Sequence, residues 1–236
     1  LEMTWNQRVI DGEKAALSFM VTGSTNRNRM TKLGEGIPPI ASAGGRGTQR
    51  NLPGYPLFGL WDKDISFNDK NGDGILVFNT NKALSELTFS DTAVYQGNTF
   101  PTREVSFAPA LELFNKKLRV SGQVDSKWGF KKFNNTLRHQ CQSGVSCRGR
   151  YDKSASLQEQ ANALATAQAV YSGMFEDGAF TRFRELSVAY DMPVRWANVV
   201  RASRWSVVLT GRNLGVITNY SGVDPEAMSA NSDDAT

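Results

Sequence analysis

The segment DKNGDG, residues 69–74, has the most recognisable chemical spacing in the chain. In a calcium loop of the D-x-N-x-D-G kind, Asp69, Asn71 and Asp73 would supply oxygen ligands, and the final glycine would permit the sharp turn. The twelfth position of such a loop carries a bidentate glutamate, but here it is Thr80. A structural calcium site and a plain turn rich in Asn and Asp both remain open, and the missing ligand favours the turn.

Other groups that could do acid–base or nucleophilic chemistry are sparse. His139 is the single histidine of the chain, so serine–histidine and multi-histidine metal chemistry have little to draw on. Glu176 and Asp177 are adjacent acids, and glycoside hydrolysis needs two carboxylates, but their spatial separation cannot be read from sequence. We therefore predict no catalytic residue, and a hydrolase is the least supported function class.

The two cysteines, Cys141 and Cys147, lie in the segment RHQCQSGVSCRGR. Gly and Ser between them allow the chain to fold back far enough for a disulfide bond, which is typical of proteins in oxidising compartments. We predict this disulfide, with two free thiols as the alternative. A zinc site is not predicted, because His139 alone adds to the ligands that the cysteines would supply.

The elements that must position these residues are mostly β-strands with two different faces. In KKLRVSGQVDSKWGF, residues 116–130, apolar and polar positions alternate, as in a strand whose faces meet different surroundings. The apolar set is Leu118, Val120, Gly122 and Val124, and the polar set is Arg119, Ser121, Gln123, Asp125 and Lys127. The dipeptide Asp11-Gly12 and the segment FNKK predict two tight hairpins.

Two long connections separate the strand patterns. Residues 34–54 hold six glycines and three prolines, which argues against a regular element there. Residues 131–178 form a long insertion, in which the Ala-, Leu- and Gln-rich run 156–173 predicts one short helix. Short turns thus alternate with long connections, an arrangement typical of outer-membrane barrels and less regular in β-sandwiches.

Composition excludes some classes and leaves others open. The chain of 236 residues is 40% hydrophobic and contains 21 glycines and 13 phenylalanines, which favours an ordered, mostly β protein. It contains no apolar run of about 18 residues, so no transmembrane helix is predicted. Its net charge of +4 is dispersed along the chain, so no nucleic-acid site is predicted.

Five phrases in chain order resemble one family, the TonB-dependent outer-membrane transporters of the SusC/RagA type. They are YPLFGLW, DKNGDG, the long segment 97–134 from GNTFP to WGFKKFN, DGAFTRFRELSVAYDMP at 177–193, and LTGRNLGVITNYSGVDPE at 209–226. The resemblance implies an all-β fold, an antiparallel meander of about six membrane strands forming part of a large outer-membrane β-barrel. Residues 1–236 would be a C-terminal portion without the plug and last strand, with 34–54 and 131–178 as long extracellular loops.

The resemblance also implies a function. The parent protein would import oligosaccharides, peptides or other bulky nutrients across the bacterial outer membrane, driven through TonB, with a SusD-like surface lipoprotein as partner and no bond chemistry. No cofactor is implied, calcium being the one possibility noted above. Leu118, Val120 and Val124 would face outer-membrane lipid, and the lumen-facing candidates are Arg119, Gln123, Asp125 and Lys127. The alternative function is a soluble, secreted β-sandwich that binds glycans and holds structural calcium.

Overall fold

The structure is a computed structural model that describes residues 1–41, 48–144, 146–199 and 201–227. The chain divides into two compact units. We call the first the sheet unit; it comprises Leu1–Asn26, Pro101–Trp128 and Ala179–Thr218. We call the second the connection unit; it comprises Arg27–Phe100, Gly129–Gly178 and the described part of Asn219–Thr236.

Fourteen strands and four α-helices occur among the described residues. The strands are β1 (Glu2–Asp11), β2 (Ala16–Thr25), β3 (Ile40–Ala41), β4 (Gln49–Asn51), β5 (Gly59–Asp62), β6 (Ile65–Phe67), β7 (Leu87–Phe89), β8 (Val94–Gly97), β9 (Arg103–Leu113), β10 (Leu118–Trp128), β11 (Lys131–Phe133), β12 (Phe175–Asp177), β13 (Phe180–Asp191) and β14 (Ser206–Thr218). The helices are α1 (Asn135–Ser143), α2 (Arg148–Tyr151), α3 (Leu157–Ala167) and α4 (Val194–Val199).

The sheet unit contains one open, antiparallel sheet of six long strands. Their order is β1-β2-β9-β10-β13-β14, so that every strand pairs with its neighbours in the meander. The predicted meander of about six strands is confirmed, and so are the hairpins that the Asp11-Gly12 and FNKK segments indicate. At FNKK the turn is tight enough that Phe114, Asn115 and Lys116 all adopt left-handed backbone conformations.

Short and long connections leave the sheet at opposite ends of its strands. We call these two rows of strand ends the edges of the sheet. At one edge the register pairs Asp11 with Ala16 and Leu113 with Leu118, and the connection carrying α4 also begins and ends there. At the other edge Thr25 pairs with Arg103, and Trp128 pairs with the same arginine. Both long connections begin and end at this second edge, which agrees with the asymmetry read from the sequence.

One face of this sheet is apolar, and the described residues of the sheet unit form no second layer over it. Val124 lies opposite Phe107 and Phe183 on the neighbouring strands, and both rings remain about two fifths exposed, at 41% and 43%. The two hydrophobic core clusters of the described chain consist entirely of connection-unit residues. A β-sandwich would bury such a face beneath a second sheet, so the sandwich arrangement is not observed.

The connection unit has a hydrophobic core of its own. The first cluster packs Leu76 and Leu87 against the helix α3, and the second packs Tyr171 and Met174 around the cysteines. Helix α3 begins with a capping box, in which the Ser156 hydroxyl accepts from the Glu159 N–H and the Glu159 carboxylate accepts from the Ser156 N–H. The helix predicted from the Ala-rich run is therefore present.

Two expectations about the long connections were wrong. We predicted one loop helix, but α1 and α2 also lie in the 131–178 connection, because apolar residues such as Leu137 in otherwise polar sequence pack on the second cluster. We expected no regular element in residues 34–54, but β3 and β4 pair there. The segment 42–47, which includes Gly44, Gly45 and Gly47, lies outside the described residues. Within the part of the chain that the structure describes, no helix is both long and apolar enough to cross a membrane.

Candidate functional site

The polar face of the six-stranded sheet carries a hydrogen-bonded cluster around Asp125. Ser106 donates from Oγ to Asp125 Oδ1 over 2.7 Å, and Gln123 donates to the same oxygen over 3.1 Å. Arg184 donates from Nε to the other carboxylate oxygen over 2.6 Å. This carboxylate is therefore held by an amide, a hydroxyl and a guanidinium, and it is fixed in position on the sheet surface.

A β-bulge brings Arg184 into this cluster. The register between β10 and β13 shifts between Gln123 and Val124, so that Arg184 has no direct partner on β10. A bulge inserts an extra residue into one strand and re-aims its side chain. Arg184 was not among the predicted site residues, and simple alternation could not have assigned its side chain to the face of Asp125.

The four lumen-facing candidates do lie on one face. Arg119 forms an ion pair of 3.3 Å with Asp191, and Lys127 forms one of 3.3 Å with Glu104. Gln123 and Asp125 belong to the cluster described above. Leu118, Val120 and Val124 occupy the opposite face, opposite apolar residues that include Leu113, Leu111 and Phe107 on β9. The alternation of the sequence thus separates two faces. The side chains of the polar face are paired in hydrogen bonds and ion pairs, and the apolar face is bare, in that its side chains stay partly exposed.

A groove of about 490 Å³ runs over the polar face where β1, β2, β9 and β10 meet. Its lining includes Thr22, Ser106 and Asp125, together with the half-exposed side chain of Met20. Hydroxyl, amide and charged groups share the lining with apolar side chains such as Val105. Such a surface can exchange hydrogen bonds with water or with a polar solute.

The DKNGDG segment forms a turn in which nearby backbone N–H groups donate hydrogen bonds to the carboxylate oxygens. Asp69 accepts from the Gly72 N–H at 2.7 Å and from the Gly74 N–H at 2.9 Å. Asp73 accepts from the Ile75 N–H at 2.8 Å, and Asn71 donates to its other oxygen at 2.9 Å. The described residues contain no group of three His, Cys, Asp or Glu side chains placed to hold a metal ion. Calcium binding by Asp69, Asn71 and Asp73 stays a prediction.

Cys141 and Cys147 are joined by a disulfide bond in the structure, with their Cα atoms 4.6 Å apart. Both cysteines are buried in the second hydrophobic cluster and connect the end of α1 to the start of α2. His139 is exposed on α1, where one of its ring nitrogens lies 2.6 Å from the Arg138 guanidinium. These contacts give the segment a structural role within the connection unit.

The acidic pair at 176–177 is also engaged in structural contacts. Glu176 accepts from the Asn134 amide at 2.8 Å, and from both the hydroxyl and the N–H of Ser221, at 2.8 and 2.7 Å. Lys132, which is buried, donates to the carbonyls of Pro225 and Ala227. Together these contacts anchor residues 221–227 onto the β11–β12 pair. Sequence reasoning did not foresee this polar network, because its partners lie more than 40 residues apart.

Asp62 is a half-buried carboxyl that follows the buried Trp61 in the chain. Burial raises the pKa of Asp62, and hydrogen bonds from the backbone N–H groups of Tyr171 and Lys63 oppose that rise. Beside it, Trp61 is buried against Tyr55 and Tyr95, with ring centroids 4.6 and 5.6 Å away. The contact between Trp61 of β5 and Tyr95 of β8 supports the pairing of these two strands.

An exposed aromatic patch lies next to this support. We define the aromatic patch as Tyr55, Leu57, Phe58 and Phe100, whose side chains are between 38% and 55% exposed. The Phe58 and Phe100 rings meet edge to face at 5.8 Å. Phe58 has a left-handed backbone, which its N–H to Asn51 at 2.6 Å and its carbonyl to Thr99 at 2.8 Å hold in place. A strained aromatic residue kept at the surface makes this patch a candidate contact surface.

Comparison with known proteins yields a curated relative and several solved structures. No family model matches the chain. A TonB-dependent receptor P26 from Formosa agariphila is 24% identical over 211 residues, which cover 82% of this chain and 20% of the receptor. The resemblance to SusC/RagA-type TonB-dependent transporters is confirmed. The same match supports the predicted location in the bacterial outer membrane.

Solved structures share the fold. The RagAB peptide transporter matches with a TM-score of 0.70 at 18% identity, covering 97% of this chain and 26% of the matched chain. The RagAB peptide importer in its closed-closed state matches with a TM-score of 0.70 at 17% identity, covering 96% and 26%. The chain thus spans about a fifth of the curated relative and about a quarter of the matched structures.

Proposed function

We propose that this chain contributes wall strands and connections to a TonB-dependent outer-membrane transporter that imports a bulky nutrient and catalyses no bond chemistry. The observation that carries the proposal is the six-stranded sheet with one bare apolar face and one paired polar face. Contact with lipid would stabilise the apolar face, and contact with a water-filled lumen would stabilise the polar face. The confirmed family resemblance supports the same conclusion.

The edges of the sheet give the proposal an orientation. Outer-membrane barrels have short periplasmic turns and long extracellular connections. The edge with the FNKK turn would then face the periplasm, and the connections that contain residues 34–54 and 131–178 would face the outside. The first and last strands of the sheet, β1 and β14, each have one unpaired side. These sides would pair with neighbouring strands of the parent barrel.

An epitope tag tests this orientation in the intact protein. A tag inserted beside Lys82, which is 82% exposed in the connection unit, should bind antibody on whole cells. A tag in the exposed FNKK turn beside Lys116 serves as the matched insertion and should bind only after the outer membrane is permeabilised. Binding of the Lys116 tag on whole cells, or of the Lys82 tag only after permeabilisation, would refute the orientation. Uptake should in addition stop when TonB is deleted.

The partner in this proposal is a SusD-like surface lipoprotein, and the aromatic patch is the contact that we assign to it. Protein interfaces are enriched in Tyr, Phe and Arg, and their binding energy concentrates in a few such anchors. Arg29 lies beside this patch, because its guanidinium approaches Gly54 and the neighbouring Met30 N–H donates to the Tyr55 carbonyl at 2.9 Å. The patch thus combines exposed rings with an adjacent cation.

Substitution of the patch tests the partner. Removal of the Phe100 ring by Phe100→Ala should cost about 2 kcal/mol of association, which is roughly a 30-fold weaker affinity for the co-expressed lipoprotein. Leu84, which is 64% exposed in the same unit, supplies the control substitution Leu84→Ala. If both variants bind the lipoprotein as tightly as the parent does, the patch is not the contact.

The transported solute in this proposal is an oligosaccharide or a peptide. The RagAB proteins that share the fold are described as a peptide transporter and importer. The groove over Thr22, Ser106 and Asp125 presents hydroxyl and amide groups that can exchange hydrogen bonds with either solute. Competition between a peptide mixture and an oligosaccharide mixture in an uptake assay would identify which class is carried.

A further inference from the structure

The edge of the sheet that holds the tight turns carries more positive than negative side chains. Four acids lie in the segments 11–16, 112–118 and 191–206, and three of them are paired: Arg8 lies within ion-pair distance of Asp11 and Glu112, and Arg119 and Arg204 both pair with Asp191. Glu13 is left over. The remaining cations of these segments, which we call the basic turn edge, are Lys14, Lys116, Lys117, Arg195 and Arg201.

These five cations form no ion pair with another described residue, and all five are exposed. Five positive charges less that of Glu13 leave a local charge of +4. The three turns are also neighbours in space. The Asn115 N–H donates to the Lys14 carbonyl at 3.2 Å, and the Asp191 N–H donates to the Lys117 carbonyl at 2.8 Å. The charge is therefore concentrated along one edge.

Exposed apolar side chains accompany these cations. Phe114 is 67% exposed, and the exposed side chains of α4 include Val194, Trp196 and Val199. Phe114 keeps a left-handed backbone, a conformation that glycine would adopt with less strain, so the turn retains a bulky ring at an energetic cost. Exposed rings and valines interspersed with Lys and Arg are characteristic of segments that lie in a membrane interface.

The edge is continuous with the apolar face of the sheet. Tyr190 and Val207 are paired on that face, and the exposed Trp205 lies immediately before β14. Tyr and Trp are enriched where a membrane protein passes from hydrocarbon to headgroups. The cations of the basic turn edge therefore begin where the headgroup layer would begin.

We infer that the basic turn edge binds the surface of an anionic phospholipid bilayer, with its cations on the headgroup phosphates and its exposed apolar side chains in the acyl boundary. This inference rests on the proposed function, because it requires the sheet to be inserted in a membrane. It adds a lipid preference for the leaflet at the tight-turn edge. The attraction is electrostatic and therefore falls as ionic strength rises.

The test uses the intact transporter in neutral detergent and measures bound lipid by native mass spectrometry. Phosphatidylglycerol is the anionic probe and phosphatidylcholine is the neutral one. The variant Lys14→Gln/Lys116→Gln/Lys117→Gln removes three cations of the edge. The control Lys32→Gln/Lys82→Gln/Lys153→Gln removes three exposed lysines of the connection unit. One cation contributes about fivefold in affinity near an anionic surface, so the edge variant should lose at least about fivefold for phosphatidylglycerol.

The outcomes separate the inference from the proposed function. The inference is upheld if the edge variant loses affinity for phosphatidylglycerol but not for phosphatidylcholine, while the control variant keeps both affinities. Equal phosphatidylglycerol binding by both variants, or equal binding of the two lipids by the unaltered protein, overturns it. A protein that fails to insert into lipid vesicles at all would refute the proposed function as well.

Discussion

The cost of placing an arginine on the apolar face should depend on its depth in the membrane. β10 has 11 residues from Leu118 to Trp128, so Gln123 is its middle residue and Val124 lies one position beyond the middle. Val120 lies three positions from the middle, about 10 Å along the strand and about 8 Å in depth for a strand tilted by about 40°. Half of the apolar band is about 12 Å. Val120 is therefore nearer to the interface than to the midplane.

Three substitutions with the same new side chain follow from this geometry. Val124→Arg would place a guanidinium in hydrocarbon between the half-exposed rings of Phe107 and Phe183, and should cost about 3 kcal/mol of unfolding free energy. Val120→Arg should cost about 1 kcal/mol, because the side chain can reach the interface. Gln123→Arg faces the polar side and should change the stability by less than about 0.5 kcal/mol.

Denaturant titration of the intact protein in phospholipid vesicles measures these costs. The loss of heat-resistant mobility on gels provides a second readout of the folded barrel. Val124→Ala is the control for lost packing and should cost less than Val124→Arg. Equal effects of Val124→Arg and Gln123→Arg would refute the assignment of lipid to the apolar face, and a larger cost at Val120 than at Val124 would refute the depth argument.

Three further predictions concern the connection unit, each read by hydrogen exchange of its amides. Cys141→Ser with Cys147→Ser should destabilise the unit by about 2 kcal/mol, because the disulfide closes a loop with a sequence separation of 6; unchanged exchange would contradict this. Hydrogen bonds from Ser154 and Arg148 lower the pKa of Asp152 from 3.8 to about 2, so its stabilising effect is complete above pH 3.8 and is lost as pH falls toward 2. Asp152→Asn should flatten that acid dependence around α2, and an unaltered profile would exclude Asp152 as its source. Asp69→Ala should cost about 2 kcal/mol equally in EDTA and in calcium, because backbone amides already occupy its oxygens, and a calcium-dependent difference would instead identify a calcium loop.

The sheet could be predicted from sequence because its information is local. Alternation along 118–128 specifies both the strand and its two faces, and Asp11-Gly12 specifies a hairpin without reference to distant residues. The lengths of the connections indicated the asymmetry of the two edges, and the family resemblance then supplied the meander. The same alternation placed Arg119, Gln123, Asp125 and Lys127 on one face.

What sequence could not supply depends on contacts between distant segments. Helix α1 contains few apolar residues, and it is stabilised by packing of Leu137 and Cys141 on the second hydrophobic cluster. Arg184 reaches Asp125 because a bulge shifts the register between β10 and β13. No local sequence pattern predicts this shift. The anchoring of residues 221–227 by Lys132 and Glu176 joins segments 45 or more residues apart. Pairwise distances of this kind become visible only in the folded chain.

The central claim is that the bare face of the sheet meets hydrocarbon, and spin labels on β13 test it most directly. Leu186 lies on the apolar face and is 48% exposed, whereas Ser187 lies on the polar face, 2.9 Å from Thr210 between their hydroxyl oxygens. In the intact protein in lipid vesicles, a label at Leu186→Cys should collide readily with oxygen and rarely with a water-soluble nickel chelate, and a label at Ser187→Cys should show the reverse. If the Leu186 label is reached by neither reagent, a second protein layer covers that face and the account is wrong.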